Sequence, residues 1–191
     1  MNNKHLLSSV LAVVSVVFIM SCKNSDYVPN DNASDLILKS YSPRDFTSEP
    51  ILAGDIETIL KCGIKAPSAR NMQPWKFIVV KETSVMQQII TNVTEGNVLI
   101  VVCRPEANST ADFDCGLATE NMVISAQSLG LGARIYTNPV ANINSTMKQT
   151  LQISEEYRAV AVLRVGNIEK NIDIESTASP RNNYEETVTF L

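Results

Sequence analysis

The chain has 191 residues, 45% of them apolar, and carries 16 basic against 20 acidic side chains for a net charge of −4. That is enough for one core-bearing domain, and a mildly acidic chain without a basic block argues against a nucleic-acid partner. One histidine and four cysteines, with no C-x-x-C spacing, offer no pattern for a zinc site.

Lys4 and His5 precede an apolar run from Leu6 to Met20. The run is shorter than the roughly 20 residues of a spanning helix and suits the apolar part of a secretory signal. It ends in Ile19-Met20-Ser21-Cys22. A small residue before cysteine resembles a bacterial lipoprotein signal. The resemblance implies a signal peptide over 1–21, lipidation of Cys22, and a domain held at a membrane of the bacterial cell envelope, periplasmic or surface-facing. A plain secretory signal with an incidental cysteine is the alternative. Residues 22–33 are polar and aperiodic and read as a tether, which leaves 34–191 as the folded domain.

Within that domain, helical and strand patterns alternate. Leu36-Ile37-Leu38 suits either a short strand or a first helical turn. Gly54 to Lys61 reads as a helix with Ile56, Ile59 and Leu60 on one face, ending near Gly63. Phe77 to Val80 is a strand, Val85 to Ile90 a short helix, and Val98 to Cys103 a wholly apolar strand. Phe113 to Leu129 is the longest helix, apolar nearly all round and rich in small residues, as a central buried helix would be. Gly130 and Gly132 suit its exit. Arg134 to Tyr136 is a short strand. Ser145 to Leu151 is a helix capped by Asn144 or Ser145. Ala159 to Val165 is a second apolar strand, and Thr187 to Leu191 is β-prone. The layout is α+β or α/β. Cys62, Cys103 and Cys115 cannot all pair within one chain. They read as buried free thiols, with a Cys103–Cys115 bridge as the alternative.

One stretch asks for a ligand. In APSARNMQPWKFIVV, Ala66 to Val80, two prolines bracket Ser68, Arg70, Asn71 and Gln73 just before a strand. Side-chain amides that donate and accept at once suit the alternating edge of a flavin ring. The same groups could instead satisfy the loop's own backbone.

This stretch resembles the P-S-x-x-N-x-Q-P-W segment of the nitroreductase family. YSPRDF, Tyr41 to Phe46, is similar to that family's amino-terminal R-S-x-R-x-F. DCGLATENMVISAQSLGLG, Asp114 to Gly132, resembles its central D-x-G-x-A-x-x-N-M helix. LQISEEYRAVAVLRVGNIE, Leu151 to Glu169, and SPRNNYEETV, Ser179 to Val188, follow its later segments in order. The resemblance implies an α+β fold, a mixed sheet flanked by helices, and a homodimer with FMN at its interface. By position it implies that Arg44 and Arg181 bind the flavin phosphate or ribityl chain, with Ser42 beside Arg44. Pro67, Ser68, Asn71 and Gln73 would lie near the ring. Forked arginine donors suit a phosphate.

The implied activity is that of an FMN-dependent oxidoreductase. It would take hydride from NADH or NADPH at flavin N5 and pass electrons to a small-molecule acceptor, such as a nitroaromatic or a quinone. The cofactor would carry that chemistry, so no side chain is expected as a catalytic acid, base or nucleophile. Three departures stand out. Tyr41 replaces the first arginine, Pro43 stiffens the first motif, and ARIYTNPV replaces a glycine-containing segment near the flavin. They leave room for a lipid-anchored flavin-binding module without NAD(P)H turnover, or a structural lipoprotein with an empty site.

Overall fold

Four antiparallel strands in the order β1-β2-β4-β3 form the centre of the domain. The structure, a computed structural model, describes residues 32–169 and 179–191. The signal over 1–21, Cys22 and nearly all of the tether lie outside these residues. All described residues fall in one unit. The strands are β1 (Lys76–Val80), β2 (Val98–Pro105), β3 (Gly132–Tyr136) and β4 (Tyr157–Gly166). The helices are α1 (Asn32–Leu38), α2 (Ala53–Ile64), α3 (Thr83–Ile89), α4 (Ala111–Ser128), α5 (Val140–Asn142, continued by a π turn over Ile143–Met147) and α6 (Tyr184–Thr187). The α+β expectation holds. The described strands pair antiparallel throughout and supply no parallel neighbour for the expected mixed sheet.

The unbroken apolar run of β2 follows from cover on both faces. Val98, Ile100 and Val102 pack toward α2 and α4. Leu99, Val101 and Cys103 pack toward α3 and the α5 segment. Burying each such side chain contributes about 1.5–3 kcal/mol. The ladder between β2 and β4 slips once: Val102 faces Ala161 and Cys103 faces Ala159, so Val160 is the extra residue of a β-bulge. Val160 and Ala161 both turn toward the α4 face as a result.

Of the two readings open for Leu36 to Leu38 the helical one holds, as the last turn of α1, with Ile37 and Leu38 exposed. Helix α2 ends at Ile64, next to Gly63 as expected, and the glycine also serves packing. A methyl group there would come within 2.7 Å of Met122 Cγ, so glycine is what lets α2 and α4 approach. The helix expected from Ser145 runs earlier and is not capped by Asn144. That side chain instead donates to Ala159 O (3.0 Å) and accepts from Ala159 N (2.8 Å). The hydroxyls of Ser145 and Thr146 bond back to carbonyls four residues earlier, the alternative that such residues have inside a helix. Gly130 exits α4 with φ +76°, as its position suggested. Cys103 and Cys115 are buried and free, and Cys62 is half-buried and free. Among the described residues, no helix is long and apolar enough to cross a membrane and no side-chain cluster could hold a metal ion.

Candidate functional site

The Tyr41–Phe46 segment lies across the start of β3 and the end of β4. Gly132 and Gly166 face each other in that ladder. A methyl group on Gly132 would strike Pro43 and Ile168, and one on Gly166 would meet Phe46 and Asn97. The paired glycines form a flat seat for Pro43 and Phe46. Phe46 is held from the other side by Arg164, whose guanidinium carbon is 4.1 Å from the ring centroid. Thr47 N donates to Asn167 O (2.8 Å), and Thr47 O accepts from Asn97 Nδ2 (2.9 Å). Arg134 and Gln127 donate to the carbonyls of Pro43 and Tyr41. With its backbone fixed, the segment leaves Ser42 and Arg44 exposed on either side of buried Pro43. Among the described residues the Tyr41 hydroxyl is buried without a partner, and burial raises its pKa.

The Ala66–Pro74 loop is held in strain. Arg70, Asn71 and Gln73 sit at φ 53°, 56° and 47°. The left-handed region costs a residue with a β-carbon about 1–2 kcal/mol, so other bonds must hold it there. Ser68 Oγ accepts from Gln73 N (2.9 Å), and Ser68 O accepts from Asn71 N (3.0 Å). From the first turn of α4, the buried Asp114 carboxylate accepts from Ala69 N through both oxygens (3.3 Å each). Ser68 therefore serves the loop backbone, the local role open from the sequence. Asn71 and Gln73 are exposed, Gln73 Nε2 donates to Asn71 Oδ1 (3.3 Å) and Asn71 O (3.5 Å), and Asn71 Nδ2 donates to no described group. Pro67 is exposed at the loop's entry.

Arg181 lies in the exposed stretch 179–191. Among the described residues it donates to Ser179 O (2.9 Å). The expected strand over Thr187 to Leu191 is absent: Tyr184–Thr187 form a helical turn, and Val188 to Leu191 lie exposed without a strand partner.

A cleft of about 630 Å³ opens at the other end of β3, between α4 and the beginning of β4. Its nearest lining residue on β3, Ile135, lies three strand steps, about 10 Å, from Gly132 at the seat of the first motif. Its apolar wall includes Ile135, Val140, Val160 and Ala161, and its charged lining is Arg104, Arg158 and Asp112. Cys115 also lines it. Burial, then the charges of Asp112 and Asp114, push that thiol up to about 12, so it is neutral and no nucleophile near neutrality. None of Ser42, Arg44, Pro67, Ser68, Asn71, Gln73 and Arg181 lines this cleft, but Ile135, Thr137 and Val140 of the ARIYTNPV segment, expected near the flavin, do. Sequence reading also missed Asp114 as the loop's anchor, although an acidic residue in a helix's first turn is a recognisable anchoring signal.

With fold and sites in place, comparison with known proteins gives the family. A nitroreductase-family model matches residues 37–98 and 91–167, and the chain belongs to the nitroreductase family. Over 141 residues it is 33% identical to an Archaeoglobus fulgidus protein provisionally named NADH dehydrogenase/NAD(P)H nitroreductase, covering 68% of this chain and 78% of that one. Its fold matches a Bacteroides fragilis nitroreductase with bound FMN at TM-score 0.70 and 18% identity, over 84% of this chain and 99% of the other. A Desulfitobacterium hafniense nitroreductase with bound FMN matches at TM-score 0.70 and 21% identity, over 84% and 98%.

Proposed function

We propose that the domain over 34–191 is an FMN-dependent oxidoreductase that takes electrons from NAD(P)H and reduces a small-molecule acceptor, a nitroaromatic or a quinone. The observation that carries this reading is the strained loop. Three left-handed residues, fixed by Ser68 and Asp114, hold the amides of Asn71 and Gln73 toward solvent with bonding capacity left over. Strain of this kind collects at ligand clamps. Names of relatives agree with it: the Archaeoglobus relative carries an NAD(P)H nitroreductase name, and two fold neighbours are described with FMN.

Ser42, Arg44 and Arg181 would hold the phosphate and ribityl end, through charge-assisted bonds from the guanidinium groups. Pro67, Ser68, Asn71 and Gln73 would hold the ring. Among the described residues the buried Tyr41 hydroxyl lacks an acceptor, which fits a polar ligand beside the first motif. Bound FMN supplies a two-electron carrier between nicotinamide and acceptor. The chain's own groups bind and orient.

The test is the visible absorption spectrum of the purified protein, with and without added FMN, followed by NADPH without oxygen. A flavin spectrum bleached by NADPH is the expected result. Protein that stays colourless after incubation with FMN would overturn the reading. The second reading, a flavin-binding module without NAD(P)H turnover, draws on Tyr41 standing in place of an arginine. It predicts bound flavin that dithionite bleaches and NADPH does not.

We further place the domain at the bacterial envelope through lipid on Cys22, as a homodimer. Supporting the dimer are exposed Phe113 with Leu117 and Ile124 along the outer stripe of α4, and exposed Phe190 and Leu191. Loss of metabolic lipid labelling in Cys22→Ala tests the anchor. Sedimentation equilibrium tests the dimer.

A further inference from the structure

Two arginines face each other at the cleft. Arg104 of β2 and Arg158 of β4 are direct partners in the antiparallel ladder, so their side chains share a face of the sheet. Like charges directly opposite are destabilising unless something answers them. Arg104 is answered in part. Its Nε donates to Asp112, and its Nη1 donates to the carbonyls of Pro105 (2.8 Å) and Glu106 (2.9 Å). Its side chain is only 7% exposed, yet Nη2 donates to no group among the described residues. Among the described residues Arg158 has only a 3.6 Å approach to half-exposed Glu106, a weak surface pair.

Beyond the arginines the lining holds three polar side chains, Asp112 (paired with Arg104), Thr119 and Thr137, and an apolar wall. The bulge turns both Val160 and Ala161 inward, and Ile135 and Val140 complete that wall. At Gly116 of α4 an added methyl group would meet nothing within 4 Å. A ligand that suits this space has a flat unsaturated ring for the wall and one anionic substituent for the two guanidinium groups.

We propose that the cleft selects acceptors bearing a carboxylate or similar anionic group, with Arg158 and the free Nη2 of Arg104 as the determinants of that specificity. The proposal rests on the oxidoreductase reading and narrows its substrate class. For a nitroarene carboxylate the first reduction balances simply. NADPH gives up a hydride, the nitro group takes those two electrons with the hydride's proton and one proton from solvent, and an N–O bond breaks to leave nitroso product and water. The carboxylate is unchanged and serves only for binding.

The test uses the full chain loaded with FMN, with para-nitrobenzoate and its neutral methyl ester as acceptors. In Arg158→Gln, the ratio of KM for the carboxylate to KM for the ester should rise about five- to tenfold, the loss of one partly exposed charge-assisted bond. Arg158→Glu should raise it further, and Arg158→Lys should restore part of the preference. A ratio that stays within twofold of the native value would overturn the proposal. So would a rise confined to the KM for NADPH, which would assign the arginines to the donor's phosphates. Flavin content, read from absorbance, separates this from failure of the functional reading. Should the protein hold no flavin, calorimetric titration with para-nitrobenzoate still decides. Binding that is lost in Arg158→Gln supports the anion site, and no binding to the native protein overturns it.

Discussion

Arg164 and Arg104 lie on neighbouring strands and are nearly equally hidden, at 1% and 5% exposure. Their surroundings differ in how far they are satisfied. Arg164 donates to Asn97 Oδ1 (2.9 Å) and to the carbonyl (3.1 Å) and side chain (3.4 Å) of Asn92, and stacks on Phe46. Asn97 then passes the connection to Thr47. Arg104 keeps one nitrogen free and lines a cleft. A buried cation with each nitrogen engaged ties the fold together, whereas one with a nitrogen left beside open space is available to a ligand. Burial alone does not separate these roles.

The largest break should come at Arg164. In Arg164→Met the Asn97 carbonyl loses its donor and Phe46 loses its stacking partner, for a loss of about 3 kcal/mol. Urea unfolding should show the midpoint fall with the slope unchanged. Arg158→Gln, at the cleft, should cost under about 1 kcal/mol by the same measurement. Equal losses would mean that both arginines are structural. Gly132→Ala comes next, at about 1–3 kcal/mol, because its methyl group would be forced against Pro43 and Ile168. That change should also weaken FMN binding, since it lifts the segment bearing Ser42 and Arg44. Asp114→Ala should cost about 1–2 kcal/mol by freeing Ala69 N. FMN affinity should fall more than stability does, because the strained loop loses its anchor.

How much of this was legible in advance depends on whether the signal was local. The β2 run, the long α4 and the glycine exit at Gly130 each carry their own pattern, and each was found. The loop of Ser68, Asn71 and Gln73 was legible as polar groups between prolines, but its strain was not, because nothing in those residues announces positive φ. Gly63 was legible as marking the end of α2 but not as a packing residue, because the Met122 contact is 59 residues away. The Arg104–Arg158 pair depends on strand register, and register is set across 54 residues with a bulge between. The last strand was expected from β-prone residues, yet strand propensity without a partner strand leaves Thr187 to Leu191 unpaired.

The smallest effect near neutrality sharpens the contrast from the cleft side. Cys115 shares the cleft lining with Arg104, and burial is the main reason its pKa rises from 9.0 to about 12. Cys103 rises to about 12 chiefly through burial as well. A thiol whose folded pKa exceeds its unfolded value binds its proton more tightly in the native state. The associated stability is complete below about pH 8.5 and is lost as pH climbs from there toward 12. Urea midpoints should therefore hold steady from pH 7 to 8 and fall above pH 9. In Cys115→Ser that fall should be shallower, because one of the two titrating groups is gone. Matching slopes in native and variant protein would mean that water reaches the thiol in the native state. A shallower slope in the variant means that the thiol is sheltered behind the cleft surface, while the guanidinium of Arg104 beside it stays open to the cleft.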